Sequence, residues 1–166
     1  LTVTGVQTCA LPILLPDIYE KNRQSKGGKY MFKWSENYRT GIEAVDEQHR
    51  KLIEIGAKLE DMLYAGDSLD YYDYIMETIN ELKDYADYHF TTEEKLMREH
   101  NYPELEEHRM EHIYFIKRID KLAMQDIDSQ QIGVISETLD FLARWLFSHI
   151  LNSDMKYADY LKTKQG

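Results

Sequence analysis

HFTTEEKLMREHNYPELEEHRMEH, residues 89–112, carries four of the six histidines of a 166-residue chain, and its spacing decides the fold. His89 and Glu93 stand four apart, as do His108 and His112. Four residues make about one turn of α-helix, so each pair projects from one helical face. Between the pairs, Asn101, Tyr102 and Pro103 interrupt the pattern, with Pro103 suited to the first turn of a following helix. The stretch reads as the end of one helix folded back on the start of the next. At a rise of about 1.5 Å per residue, each pair lies roughly 9–15 Å from the break, so antiparallel helices bring the four side chains to one depth.

The helical period continues outward in both directions. Residues 43–64 place Val45, His49, Leu52, Gly56, Leu59 and Leu63 on one face, with Ala65 and Gly66 ending the helix and Asp67 or Ser68 capping the next. A second helix over 69–99 carries Ile75, Ile79, Leu82, Ala86, His89, Glu93 and then Leu96 or Met97. A third, ending near Asp126, carries Leu105, His108, His112, Ile116, Ile119 and Ala123, and a fourth carries Ile135, Leu139, Leu142, Leu146 and His149 and runs on towards Tyr160. The expected architecture is all-α: an antiparallel up-down-up-down four-helix bundle at 31–166, with an irregular N-terminal arm over 31–42 in which Trp34 and Tyr38 pack on the bundle.

Residues 1–30 read differently. VTGVQTCALPI, residues 3–13, resembles the in-frame translation of a DNA-sequencing adapter, and Lys26, Gly27, Gly28 and Lys29 fit a purine-rich ribosome-binding run ahead of Met31. The expectation is a disordered, non-native leader over 1–30, carrying the single cysteine, Cys9, with translation starting at Met31.

A formal charge of −10 argues against nucleic acid or an anionic membrane surface as partner. No apolar run reaches the roughly 18–20 residues a membrane span needs, and no signal peptide is evident, so a cytoplasmic location is expected.

The polar residues on the apolar stripes carry the functional signal. A lone core histidine is usually just hydrogen-bonded. Here His49, His89, His108, His112 and His149 all fall on core-facing stripes together with Glu93, and His100, beside the break, does not. Burying that many unpaired polar groups would cost several kcal/mol each, against a net domain stability of about 5–15 kcal/mol. Metal ions satisfy imidazole nitrogens and carboxylate oxygens together. Five histidines exceed the usual four ligands of one tetrahedral zinc, which suggests two ions. The carboxylate nearest at hand on the fourth helix is Asp154, but five residues turn an α-helix by about 500°, leaving it some 140° off the His149 face unless a π-bulge intervenes.

His49, HxxxE at His89 and Glu93, HxxxH at His108 and His112, and HxxxxD at His149 and Asp154 together resemble the ligand pattern of the hemerythrin family, in its single-domain bacterial form. The resemblance spans residue 31 to about Leu161, including the VDEQH, HFxxEE and HIxxxD contexts. It implies two iron ions, one held by His108, His112 and His149 and the other by His49 and His89, bridged by Glu93, Asp154 and an oxo or hydroxo group. Of twelve octahedral positions, five imidazoles, four carboxylate oxygens and two bonds to the shared bridge fill eleven. The open position falls on the two-histidine iron, where the family binds O₂. Leu52, Trp145 and Ile150 are expected to line that O₂ pocket and keep water out.

Neutral imidazoles in place of the carboxylates of oxidising di-iron enzymes favour reversible O₂ binding over catalysis. The implied function is therefore O₂ carriage, storage or buffering by a protein that is not an enzyme, with an O₂-consuming oxidase or a reductant as possible partner. The alternatives are an O₂ or redox sensor module detached from a signalling protein, and a di-iron peroxidase or nitric oxide scavenger.

Overall fold

The computed structural model describes residues 30–65 and 70–165. The leader expected over 1–30 and its Cys9 lie outside these residues, apart from Tyr30, whose ring meets Tyr64 edge-on at 5.5 Å. The caps expected at Gly66, Asp67 and Ser68 also lie outside them.

Four long helices form a bundle: α1 (Glu43–Ala65), α2 (Tyr72–Glu99), α3 (Leu105–Ala123) and α4 (Ile127–His149). The chain continues from α4 through one π-helical stretch, Ile150–Asp154, into α5 (Met155–Gln165). Consecutive helices pack on each other, and α1 also packs on α4, which closes the bundle. The stripes read from the sequence are its inner faces: Val45, Leu52 and Leu59 of α1, Ile75, Ile79, Leu82 and Ala86 of α2, and Ile135, Leu139, Leu142 and Leu146 of α4 are buried. On α2 the stripe ends on Met97 rather than Leu96, and on α3 Phe115 and Leu122 are buried while Ile116 and Ala123 are only partly so.

Helix ends depart from expectation where a tight turn takes residues from them. α2 starts at Tyr72, because the Asp70 carboxylate accepts the Tyr72 N–H and the Gln131 amide, holding residue 70 outside the helix. Pro103 precedes α3 rather than opening its first turn, since Asn101 adopts a left-handed φ of 53° and Tyr102 is drawn into the core beside Tyr157. α3 stops at Ala123, and the Asp126 side chain caps α4 by accepting from Ser129 N–H.

The arm packs as expected and is pinned at both ends. Arg50 lies over the Trp34 ring, and Tyr38 stacks on Phe147 with centroids 5.0 Å apart. The buried Glu60 carboxylate accepts the backbone N–H groups of Met31 and Phe32 at 2.9 and 3.1 Å. At the other end, the buried Asp46 accepts Thr40 N–H and O–H and Gly41 N–H, which fixes the entry into α1. Gly56, on the α1 stripe, leaves room for the Phe32 ring, because a Cβ there would lie 2.3 Å from Phe32 Cδ1. Gly56→Ala should therefore expel the ring. The lost burial outweighs the gain in helix propensity, for a net cost of about 1–2 kcal/mol, read as a lower urea midpoint at unchanged slope.

Candidate metal centre

The helices carry seven polar side chains to one level of the bundle. His49 comes from the second turn of α1, His89 and Glu93 from successive turns of α2, His108 and His112 from α3, and His149 from the end of α4. Asp154 closes the π stretch Ile150–Asp154. In a π-helix the backbone takes one extra residue per turn, so the five-residue step from His149 brings Asp154 back to the inner face. All seven are at most 3% exposed. His100, by contrast, lies outside the cluster, its Nδ1 against the Leu96 carbonyl at 2.8 Å.

Their donor atoms fall into two groups, Glu93 with His108, His112 and His149, and His49 with His89, Glu93 and Asp154. Within each group the ligand atoms lie within 4.8 Å of one another. Glu93 belongs to both groups, its Oε2 lying 3.6 Å from His89 Nε2 and 3.2 Å from His112 Nε2. Asp154 straddles them too: Oδ2 is 3.1 Å from His49 Nε2, and Oδ1 is 3.4 and 3.2 Å from the Nε2 atoms of His108 and His149. Such separations suit atoms sharing one ion, since octahedral ligands about 2.1 Å from a metal stand about 3 Å apart.

Hydrogen bonding does not account for the cluster. His49 Nδ1 and Nε2, Glu93 Oε2, His108 Nε2 and both Asp154 oxygens are buried without a hydrogen-bond partner. Buried polar atoms in that number are otherwise paired, and all of these except His49 Nδ1 are lone-pair donors in the two converging groups. The residues present fit a pair of metal ions.

The description hemerythrin HHE cation binding domain matches residues 40–161, most of the chain and all seven residues of the cluster. The chain belongs to the hemerythrin family. It is similar to a bacteriohemerythrin of Clostridium acetobutylicum, 40% identical over 129 residues that cover 78% of this chain and 100% of that protein. A bacteriohemerythrin of Pseudomonas aeruginosa is 33% identical over 78% of this chain and 80% of its own length. A hemerythrin-like protein of Naegleria gruberi is 28% identical over 78% of this chain and 93% of its own length.

Around the cluster this hemerythrin-family bundle builds a ring of supports that the stripe pattern does not reveal. Gln48 of α1 meets His89 Nδ1 of α2 at 2.9 Å, Glu94 of α2 meets His112 Nδ1 of α3 at 3.1 Å, and Glu111 of α3 meets His149 Nδ1 of α4 at 2.6 Å. Each support is the sequence neighbour of a cluster residue. One residue turns a helix by about 100°, moving the side chain from the core face to the seam with the next helix. An acceptor at Nδ1 holds the ring N–H there and leaves the Nε2 lone pair facing inward. Tyr157, fully buried, donates its O–H to Glu93 Oε1 at 2.8 Å. Phe90 lies flat on His112 at 3.9 Å.

Of the three apolar residues expected around the O₂ position, Leu52 and Ile150 are buried in the main core. Trp145 stacks on His149 at 4.3 Å, which sets it against the three-histidine group instead of the two-histidine one. A single residue ahead of the core-facing Leu146, it turns towards α3, where Phe115 meets it.

Protonation of the metal-free centre is uneven. Burial lowers His89 to about 4, so it is neutral at pH 7. Burial opposes charge on His149 too, but the Asp154, Glu111 and Glu93 carboxylates outweigh it and push His149 up to about 10. Glu93 is raised by burial and lowered further by His89, His108 and His112, ending well below its usual range. Because His149 is raised above its ordinary 6.5, its contribution to metal-free stability is full below pH 6.5 and is lost as pH rises through about 10. A metal at His149 must displace that proton. Metal binding at pH 7 should therefore release at least about one proton per chain, and affinity should rise with pH towards 10, measurable by calorimetry in buffers of different ionisation enthalpy.

Proposed function

We propose that the cluster holds two iron ions, one on His108, His112 and His149 and the other on His49 and His89, bridged by Glu93, Asp154 and an oxo or hydroxo group, and that it binds O₂ reversibly. The observation that carries this reading is the pair of donor groups sharing buried carboxylates while five imidazoles supply most of the donors. Bound there, the iron pair would supply the electrons that O₂ takes up and recover them on its release. The chain's part is to hold and shield. Tyr157 fixes Glu93, and burial, with the Glu93 and Asp154 charges, raises its phenol well above 10, so it stays a proton donor in that hydrogen bond. Gln48, Glu94 and Glu111 orient three rings. Leu52 and Ile150, 1% and 0% exposed, exclude water from the interior.

A carrier reading is favoured over a catalytic one by the donor set itself, in which five imidazoles stand against two carboxylates. The protein reconstituted anaerobically with ferrous iron should gain a visible absorption band when O₂ is admitted and lose it when O₂ is removed. Irreversible oxidation with turnover of an added reductant would make it an enzyme instead.

A further inference from the structure

A cavity of about 190 Å³ opens beside the cluster, lined by Tyr102, Glu104, Glu107, His108, Glu111, Asn152, Ser153 and Lys156. Its outer wall is charged: three carboxylates, Glu104, Glu107 and Glu111, face one ammonium, Lys156, which pairs with Glu104. Its inner wall belongs to the centre. His108 is only 3% exposed, its Nε2 lies in the three-histidine group, and its Nδ1, unlike those of His89, His112 and His149, has no protein partner among the described residues. Glu111 touches His149 Nδ1 and accepts the Ser153 hydroxyl at 2.8 Å. Asn152 and Ser153 belong to the π stretch, where the helix wall is locally widened.

We propose that this cavity is a docking site for a divalent cation, the place where ferrous iron enters before it passes to His108 and His149. The inference rests on the two-iron reading. Seven donors that are at most 3% exposed must be reached from solvent somewhere, and this cavity joins solvent to His108 and, through Glu111, lies one contact from His149. Three carboxylates against one lysine attract a cation and repel an anion. The polar walls also set the cavity apart from a route for an apolar gas, and it abuts the three-histidine group, not the two-histidine one where O₂ is proposed to bind. The site is a stopping point because Glu104 and Glu111 are already engaged, by Lys156 and by His149 with Ser153, so the deeper imidazoles outcompete it.

The test uses the whole metal-free protein mixed with cobalt(II) at low ionic strength, following the visible cobalt absorption by stopped flow and counting bound ions at the end point. Glu107→Gln should slow uptake and Lys156→Gln should speed it, each by about three- to tenfold. Glu77→Gln makes the same charge change as the first, in the acidic cavity at the far end of the bundle with Asp70, Asp73 and Asp128, and should load at the wild-type rate. All four proteins should finish with two ions. Unchanged rates in the first two variants, or equal slowing by Glu77→Gln, overturn the port while the two-ion end point stands. Fewer than two ions in the wild type overturns the two-iron reading and the port with it.

Discussion

Replacing His112 with alanine is expected to reduce bound iron from two ions per chain to about one or fewer, whereas His100→Ala leaves two. His112 Nε2 lies 3.1 Å from His149 Nε2 and 3.2 Å from Glu93 Oε2, so its loss opens the three-histidine group at its middle. The damage spreads, because Glu94 loses its partner and Phe90 loses the ring it stacks on. His100 has the same chemistry twelve residues earlier in the sequence, but its ring bonds the end of its own helix. Elemental analysis of the two purified variants after anaerobic loading makes the comparison. Equal losses would contradict the assignment of donors.

Loading the metal-free protein with ferrous iron should raise its melting temperature by at least about 8–16 °C, the contribution of one of the two sites, when free iron is a thousandfold above its dissociation constant. That ratio is worth about 4 kcal/mol for one site, and a domain of this size gains about 2–4 °C per kcal/mol. The physical source is the set of partnerless atoms on His49, Glu93, His108 and Asp154, which ordinary folding leaves buried and unpaired. A metal satisfies them only in the folded chain. Differential scanning calorimetry under anaerobic conditions gives the shift, His112→Ala should show a much smaller one, and a wild-type shift below about 2 °C would mean that the ions do not bind at these atoms.

The four helices and six of the seven cluster residues were legible because burial on a bundle interior imposes a 3.6-residue period, and a histidine or glutamate in that period stands out from its apolar neighbours. Asp154 was legible only with a π turn, since an α-helix puts it off the face, and the structure has that turn at Ile150–Asp154. Gln48, Glu94 and Glu111 were not legible as supports. They sit at the seams between helices, where polar side chains also face water, and the Glu111 side chain is 45% exposed. Adjacency to a cluster residue was the one signal available for them. Trp145 shows the same limit from the apolar side: sequence marks it as close to His149, but only the rotation of α4 decides which group it covers. Helix ends at Tyr72 and Leu105 shifted because Asp70 and Asn101 set local turns that periodicity does not register.

A crystal structure of the ferrous-loaded protein, with anomalous scattering collected at the iron edge, shows whether one buried cluster holds two iron ions through shared carboxylates. Two peaks are expected, one coordinated by His108, His112 and His149, the other by His49 and His89, with Glu93 and Asp154 touching both. A single peak, or iron bound away from these seven side chains, would contradict the two-iron reading.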